Sequence, residues 1–216
     1  AVATVGRLNF PAHAHVARLA VGDDPAVLFG AVLPDLTGMA GGRFELALPE
    51  PVEAGRRLHH RADEQFHESP AFRAGVADLR ESLAGAGLAS GPSRAAAHLG
   101  YELLLDTCLP WDDALSSSLG AALATGADLA SGLDEPGRLR WIGLLTRLAG
   151  VRWSTLATTA DPELARRIEA ILGRRPRLAL PPGSTPAVSE ALAGARPAVA
   201  RDSGGLFAGA AAALAA

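Results

Sequence analysis

The chain has 216 residues, 49% hydrophobic and 20% charged, with a net charge of −3. That balance excludes a disordered chain and a protein held to nucleic acid by overall charge, and the length allows one substantial core. A single cysteine, Cys108, excludes an intramolecular disulfide and reads as a small buried hydrophobe.

All 20 cationic side chains are arginine, which GC-rich coding bias explains together with the excess of Ala, Gly and Pro. No apolar run is long enough to span a bilayer and the opening residues lack a secretory pattern. No membrane partner and a cytoplasmic location are therefore expected. Aromatic residues are 5% of the chain and do not interleave with basic ones, so no stacking surface for single-stranded nucleic acid is expected.

In chain order the pattern predicts helices separated by Gly and Pro. Pro11 opens a short helix through Leu19, stopped at Gly22. Asp24 and Pro25 form an N-cap and first-turn pair for a helix predicted to end near Pro34 and Asp35. Thr37 to Leu48 reads as a glycine-interrupted loop. Pro51 starts a helix through about Glu68, and Ser69 with Pro70 caps the next, whose apolar face is Phe72, Val76, Leu79 and Leu83. Ser93 is expected to cap a helix running to about Cys108. Further helices are expected over Asp112–Thr125, Glu135–Leu148 and Pro162–Leu172, and a short one over Pro186–Ala193 with Gly194 past its end. Alternating runs are nearly absent, so the expected class is all-α: a helical domain over 1–180 and an Ala/Gly/Pro-rich helical tail, 181–216, packed on it.

Two polar stripes stand out. His59, Asp63 and His67 recur at i, i+4, i+8, and so do His98, Glu102 and Asp106. On helices, each set lines one face. Imidazoles and carboxylates on two facing helices are how metal sites in helical bundles are built. The alternative is that both stripes are solvent faces. Against it, the second stripe sits among Ala95, Ala96, Ala97, Leu99, Leu103, Leu104 and Leu105, an almost wholly apolar helix, and buried carboxylates need a partner. Asp35, flanked by Leu33 and Leu36, is either a turn residue or a further ligand. His13 and His15, two apart, face nearly opposite sides of a helix, so at most one enters a site. The glycine-rich TGMAGG has no following GK[ST], and no G-x-S-x-G elbow exists.

Several segments together resemble the acyl carrier protein phosphodiesterase family. RLNFPAHAHVA resembles the family's N-F-L-A-H-x-x-x-A, which aligns His13. LFGAVLPDL resembles G-N-x-x-A-D-F and aligns Asp35. AGRRLHHRAD resembles G-I-x-x-H-R-x-I-D and aligns His59 and Asp63, while Pro70, Arg73 and GRRPRL fit later motifs. The matches run in order from about residue 7 to 178. Departures are Ala31 for the Asn of G-N, Leu103 for the histidine of D-H-F-L, with Glu102 at its aspartate, and His67 at a further acidic position.

The resemblance implies an all-helical fold related to the HD-domain metallohydrolases. It implies divalent-metal-dependent hydrolysis of a phosphodiester, namely release of 4′-phosphopantetheine from holo acyl carrier protein. Mn²⁺ is the first expectation, with Fe²⁺, Zn²⁺ or Mg²⁺ as alternatives. His13, Asp35, His59 and Asp63 become the implied metal ligands, and Asp35, Asp63, His98 and Glu102 the implied catalytic groups. Arg56, Arg57 and Arg61, with His60 and His67 beside them, are candidates to meet phosphate or an acidic carrier protein. Their alternative role is a solvated helix face. A phosphohydrolase acting on a nucleotide-like phosphoester, or a non-catalytic helical binding protein, are the competing expectations.

Overall fold

The computed structural model describes residues 10–41 and 47–215. Among the described residues there are nine α-helices, two short 3₁₀ turns at Asp128–Gly132 and Trp153–Thr158, and no strand. The chain is all-α. The helices are α1 (Phe10–Val21), α2 (Pro25–Met39), α3 (Glu50–Glu68), α4 (Pro70–Gly85), α5 (Ser90–Thr107), α6 (Asp113–Thr125), α7 (Glu135–Ala149), α8 (Asp161–Leu172) and α9 (Thr185–Ala215). None is long and apolar enough to cross a membrane.

Local chemistry sets most boundaries. The Asp24 carboxylate accepts from the amides of Ala26 and Val27 at 2.9 and 3.1 Å, starting α2. Asp112 and Asp134 cap α6 and α7 in the same way, through Leu115 and Gly137. Gly87, at φ +90°, closes α4, and the Leu88 amide donates back to the Leu83 carbonyl.

Three boundaries differ from expectation. α2 does not end at Pro34 but continues to Met39, because Leu33 and Leu36 on either side of the proline are buried and the Thr37 hydroxyl donates to the Pro34 carbonyl. Thr37 to Met39 are thus helical, and residues 42–46 of the expected loop lie outside the described residues. Ser93 is not a cap: α5 begins at Ser90, and Ser93 is buried within it, donating to the Ser90 carbonyl. The tail helix does not stop before Gly194 but runs on through Pro197. There Arg196 forks onto Asp161, the Thr159 carbonyl and the Thr107 hydroxyl, which holds the turn before the proline to α8 and α5. α9 packs on α8, α1, α4, α5 and α3, so the tail belongs to the same core.

The pair that positions the site is α2 and α3, the most extensive helix contact in the chain. It is built on two glycines. A Cβ at Gly30 would collide with the Val52 carbonyl, and one at Gly55 with the Val27 carbonyl, so the two backbones meet without side chains between them. α1 packs on both helices of the pair, α9 packs on α1 and α3, and α5 packs chiefly on α4 and α9.

Gly55→Ala is therefore expected to destabilise the protein by about 3 kcal/mol through forced separation of α2 and α3. Gly120→Ala, where an added methyl meets nothing within 4 Å, is expected to stabilise by about 0.5–1 kcal/mol. Urea unfolding of the two variants checks both signs.

Candidate metal centre

Three helices bring four polar heads together. α1 supplies His13, only 2% exposed; α2 supplies Asp35; α3 supplies His59 and Asp63 one turn apart. His13 Nδ1 lies 3.1 Å from Asp35 Oδ2, and its Nε2 lies 3.1 Å from Asp63 Oδ1. The His13 and His59 rings are in contact, tilted by 42° with centroids 4.0 Å apart. α2 staying helical through Pro34 matters here. It stacks Asp35 one turn beyond Ala31, and His59 reaches both: its Nδ1 is 2.9 Å from the Ala31 carbonyl and 3.8 Å from Asp35 Oδ2.

That carbonyl can only accept, so His59 Nδ1 carries the proton and donates it. The Nε2 lone pair is then free and faces Asp63 Oδ2 at 3.8 Å. A ring nitrogen oriented through a backbone hydrogen bond on its opposite nitrogen is the usual support of a metal-binding histidine.

Charge in the site is distributed unevenly. Burial opposes a charge on His13, but the hydrogen bonds to Asp35 and Asp63 outweigh it, and its pKa is pushed up to about 10. Burial, and then the His13 charge beside it, push His59 down to about 4, so that ring is neutral. Burial also acts against ionising Asp63, yet the bond from His13 pulls it down to about 2. A cationic imidazolium is thus clamped between two carboxylates, where a divalent cation held by these residues would supply the positive charge instead. Nδ1 or Nε2 of His13 and His59 and an oxygen of Asp35 all lie within 4.8 Å of one another. Mixed nitrogen and carboxylate donors suit Zn²⁺, Mn²⁺ or Fe²⁺. By donor chemistry the residues fit such an ion.

Asp35 and Asp63 form part of the wall of a cavity of about 470 Å³, which His67, His98 and Glu102 also line. The second stripe therefore meets the first across one cavity. His98 Nε2 stands 3.0 Å from Glu102 Oε1 and His67 Nε2 3.8 Å from the same oxygen. Glu102 raises the His98 pKa through this bond.

The third member of the second stripe departs. Asp106 is 2% exposed, and neither carboxyl oxygen completes a hydrogen bond. The Ala12 amide in the first turn of α1 leans toward it without reaching bonding geometry. Burial raises its pKa well above the carboxylate range and holds it neutral. His15 also lies elsewhere, buried edge-on against Phe207.

The arginines beside His59 do not line this cavity. Arg56 pairs with Glu53 and Arg57 with Glu50, while Arg61 donates to the Ala213 carbonyl of α9. His60 is exposed and is not part of the wall. Two other arginines, Arg94 and Arg175, line the cavity instead. Arg94 was legible in part: it precedes His98 by four residues and extends that stripe by one turn. Arg175 lies in the GRRPRL segment, whose spacing alone does not say what it faces.

No protein-family model matches the chain, and no curated protein or solved structure is significantly similar to it, so the site is read from its own chemistry.

Replacing Asp106 by Asn isolates the buried carboxyl. Its folded pKa is raised, so above the unfolded value near 4 the unfolded chain gives up a proton that the native chain keeps, and stability falls as pH rises. The slope from this one group is about 1.4 kcal/mol per pH unit. Asp106→Asn is expected to flatten the fall in Tm between pH 5 and 8 and to raise Tm at pH 8. Thermal melts across that range measure it.

Proposed function

We propose that the chain is a divalent-metal-dependent phosphodiester hydrolase, a divergent relative of the acyl carrier protein phosphodiesterases with an HD-domain-like helical fold. The observation that carries this reading is the cluster of His13, Asp35 and His59, from three helices, with donor atoms within 4.8 Å of one another, and Asp63 bonded to the other ring nitrogen of His13. These are the four residues that the family resemblance aligns. A bound divalent ion would lower the pKa of a water and polarise a phosphoryl oxygen.

The chain's own groups do the rest. His13 and His59 hold the floor of the site and are closed off from water, so donor positions do not shift with solvent. Asp35 and Asp63 are more open, with side chains 19% and 38% exposed, and present their oxygens to the cavity. His98, bonded to Glu102, faces the same space. Arg94 and Arg175 are exposed on the cavity wall, and neither guanidinium forms a hydrogen bond or ion pair with a described residue. They leave free cationic forks for phosphate oxygens or an acidic carrier.

Two departures from the family pattern, Leu103 and Ala31, lie off the cavity wall, whereas His67 and Glu102 are part of it. Leu103 is 2% exposed and packs in the hydrophobic core, not on the cavity wall. Ala31 acts through its carbonyl on His59, which any residue type supplies.

Metal analysis of the purified chain, then mass spectrometry of holo acyl carrier protein incubated with it and Mn²⁺, tests the proposal. The expected product is the apo carrier with loss of the phosphopantetheine arm. Hydrolysis of bis-p-nitrophenyl phosphate with an unchanged carrier mass points to a smaller phosphoester as substrate, and no turnover of either leaves a binding protein. Asp63→Ala is expected to lower turnover by about 10³-fold. Mn²⁺ loading at pH 7 is expected to release a proton from His13, read as a buffer-dependent heat in titration calorimetry.

A further inference from the structure

The second stripe forms a group with its own geometry. His67 comes from the last turn of α3, and His98 and Glu102 from successive turns of α5. Both imidazoles direct Nε2 at one oxygen, Glu102 Oε1, at 3.0 and 3.8 Å, and the three donor atoms lie within 4.8 Å of one another. Donors about 2.1 Å from a shared tetrahedral ion stand about 3.4 Å apart, a value the two measured edges bracket. A single i, i+4 ion pair between His98 and Glu102 needs no second imidazole on the same oxygen.

The surroundings hold these donors in place. Phe72 packs against both rings, with centroids 5.3 Å from His67 and 5.7 Å from His98. The His67 carbonyl accepts from Arg73 Nε at 2.9 Å, which ties the end of α3 to α4. Glu102 is 14% exposed, whereas the two imidazoles are 43% and 42% exposed. The arrangement is three protein donors with an open side toward the cavity, as in catalytic rather than structural metal sites.

We infer that His67, His98 and Glu102 form a second divalent-cation site, separate in its ligands from the centre on His13, Asp35 and His59, and opening into the same cavity. Two imidazoles with one carboxylate favour Zn²⁺, Co²⁺ or Mn²⁺ over Mg²⁺ or Ca²⁺. Asp63 lies one helical turn before His67 and one after His59, between the two groups. With both sites filled, a phosphoryl group in the cavity is held from two sides, the arrangement of two-ion phosphoesterases. This clamp rests on the function proposed above; the cation site itself does not.

The test uses the full chain, stripped with a chelator and titrated with Co²⁺ or Zn²⁺ alone. Calorimetry gives stoichiometry, and the visible absorption of Co²⁺ reports the ligand set. Wild type is expected to bind two equivalents. His98→Asn, and separately His67→Asn, is expected to weaken one of them at least about 100-fold and leave the other, while His13→Asn removes the complementary one. His67 and His98 are half exposed, so both variants are expected to keep the wild-type circular dichroism and Tm. Should wild type bind one equivalent only, lost in His98→Asn but kept in His13→Asn, the second site stands and the metal premise of the proposed function falls. Any equivalent count left unchanged by both His67→Asn and His98→Asn overturns the inference, as does the absence of binding.

Discussion

The close crossing of α2 and α3 is the constraint on which the rest of the structure depends. Gly30 and Gly55 bring the two backbones together with no side chain between them. Helices packed through ordinary side chains stand about 8–10 Å apart, and a methyl at this crossing would have to push them back toward that spacing. Only at the short distance does the His59 ring reach the Ala31 carbonyl. That single hydrogen bond sets the tautomer of His59, turns its other nitrogen toward Asp63, and places Asp35 beside it. α1 then needs only to pack on the pair to set His13 between the two carboxylates.

The electrostatics follow from this geometry. Two carboxylates cannot stay ionised beside a core unless a cation stands between them. A proton on His13 fills that role in the chain alone, and burial, with that charge beside it, keeps His59 neutral. A divalent cation fills the same role with more charge and with coordinate bonds, so proton and metal compete for it. Asp106 lies outside this exchange. It is buried without a completed hydrogen bond, so it stays uncharged and adds to the local cost of folding.

The cavity gathers groups of both signs. Asp35, Asp63 and Glu102 occupy one wall with His67 and His98, while Arg94 and Arg175 line it as well. Arginines nearer in sequence to the His59 and Asp63 pair are bound to acidic neighbours or to α9. Arg94 shares the face of His98 and Glu102, and Arg57 and Arg61 fall off the face of Asp63 and His67; Arg56 shares that face but stands two turns before Asp63 and is paired with Glu53.

Helical class, most helix boundaries and the two polar stripes were legible because they rest on short-range rules: caps, prolines, and a repeat of four residues. The eventual neighbours of His13 were not legible, since Asp35 and Asp63 are 22 and 50 residues away in the chain. The passage of α2 through Pro34, and of α9 through Pro197, was hidden for a related reason. Proline's local cost is readable from the residue, but the burial and the Arg196 contacts that offset it come from distant segments. By itself the sequence determined an all-helical chain with histidines and carboxylates in helical phase. Only the tertiary structure decided which stripe members meet, that Asp106 is sealed away while Arg94 and Arg175 face the cavity, because those outcomes depend on which helix backbones can approach, and glycine positions acquire that meaning only when two helices cross.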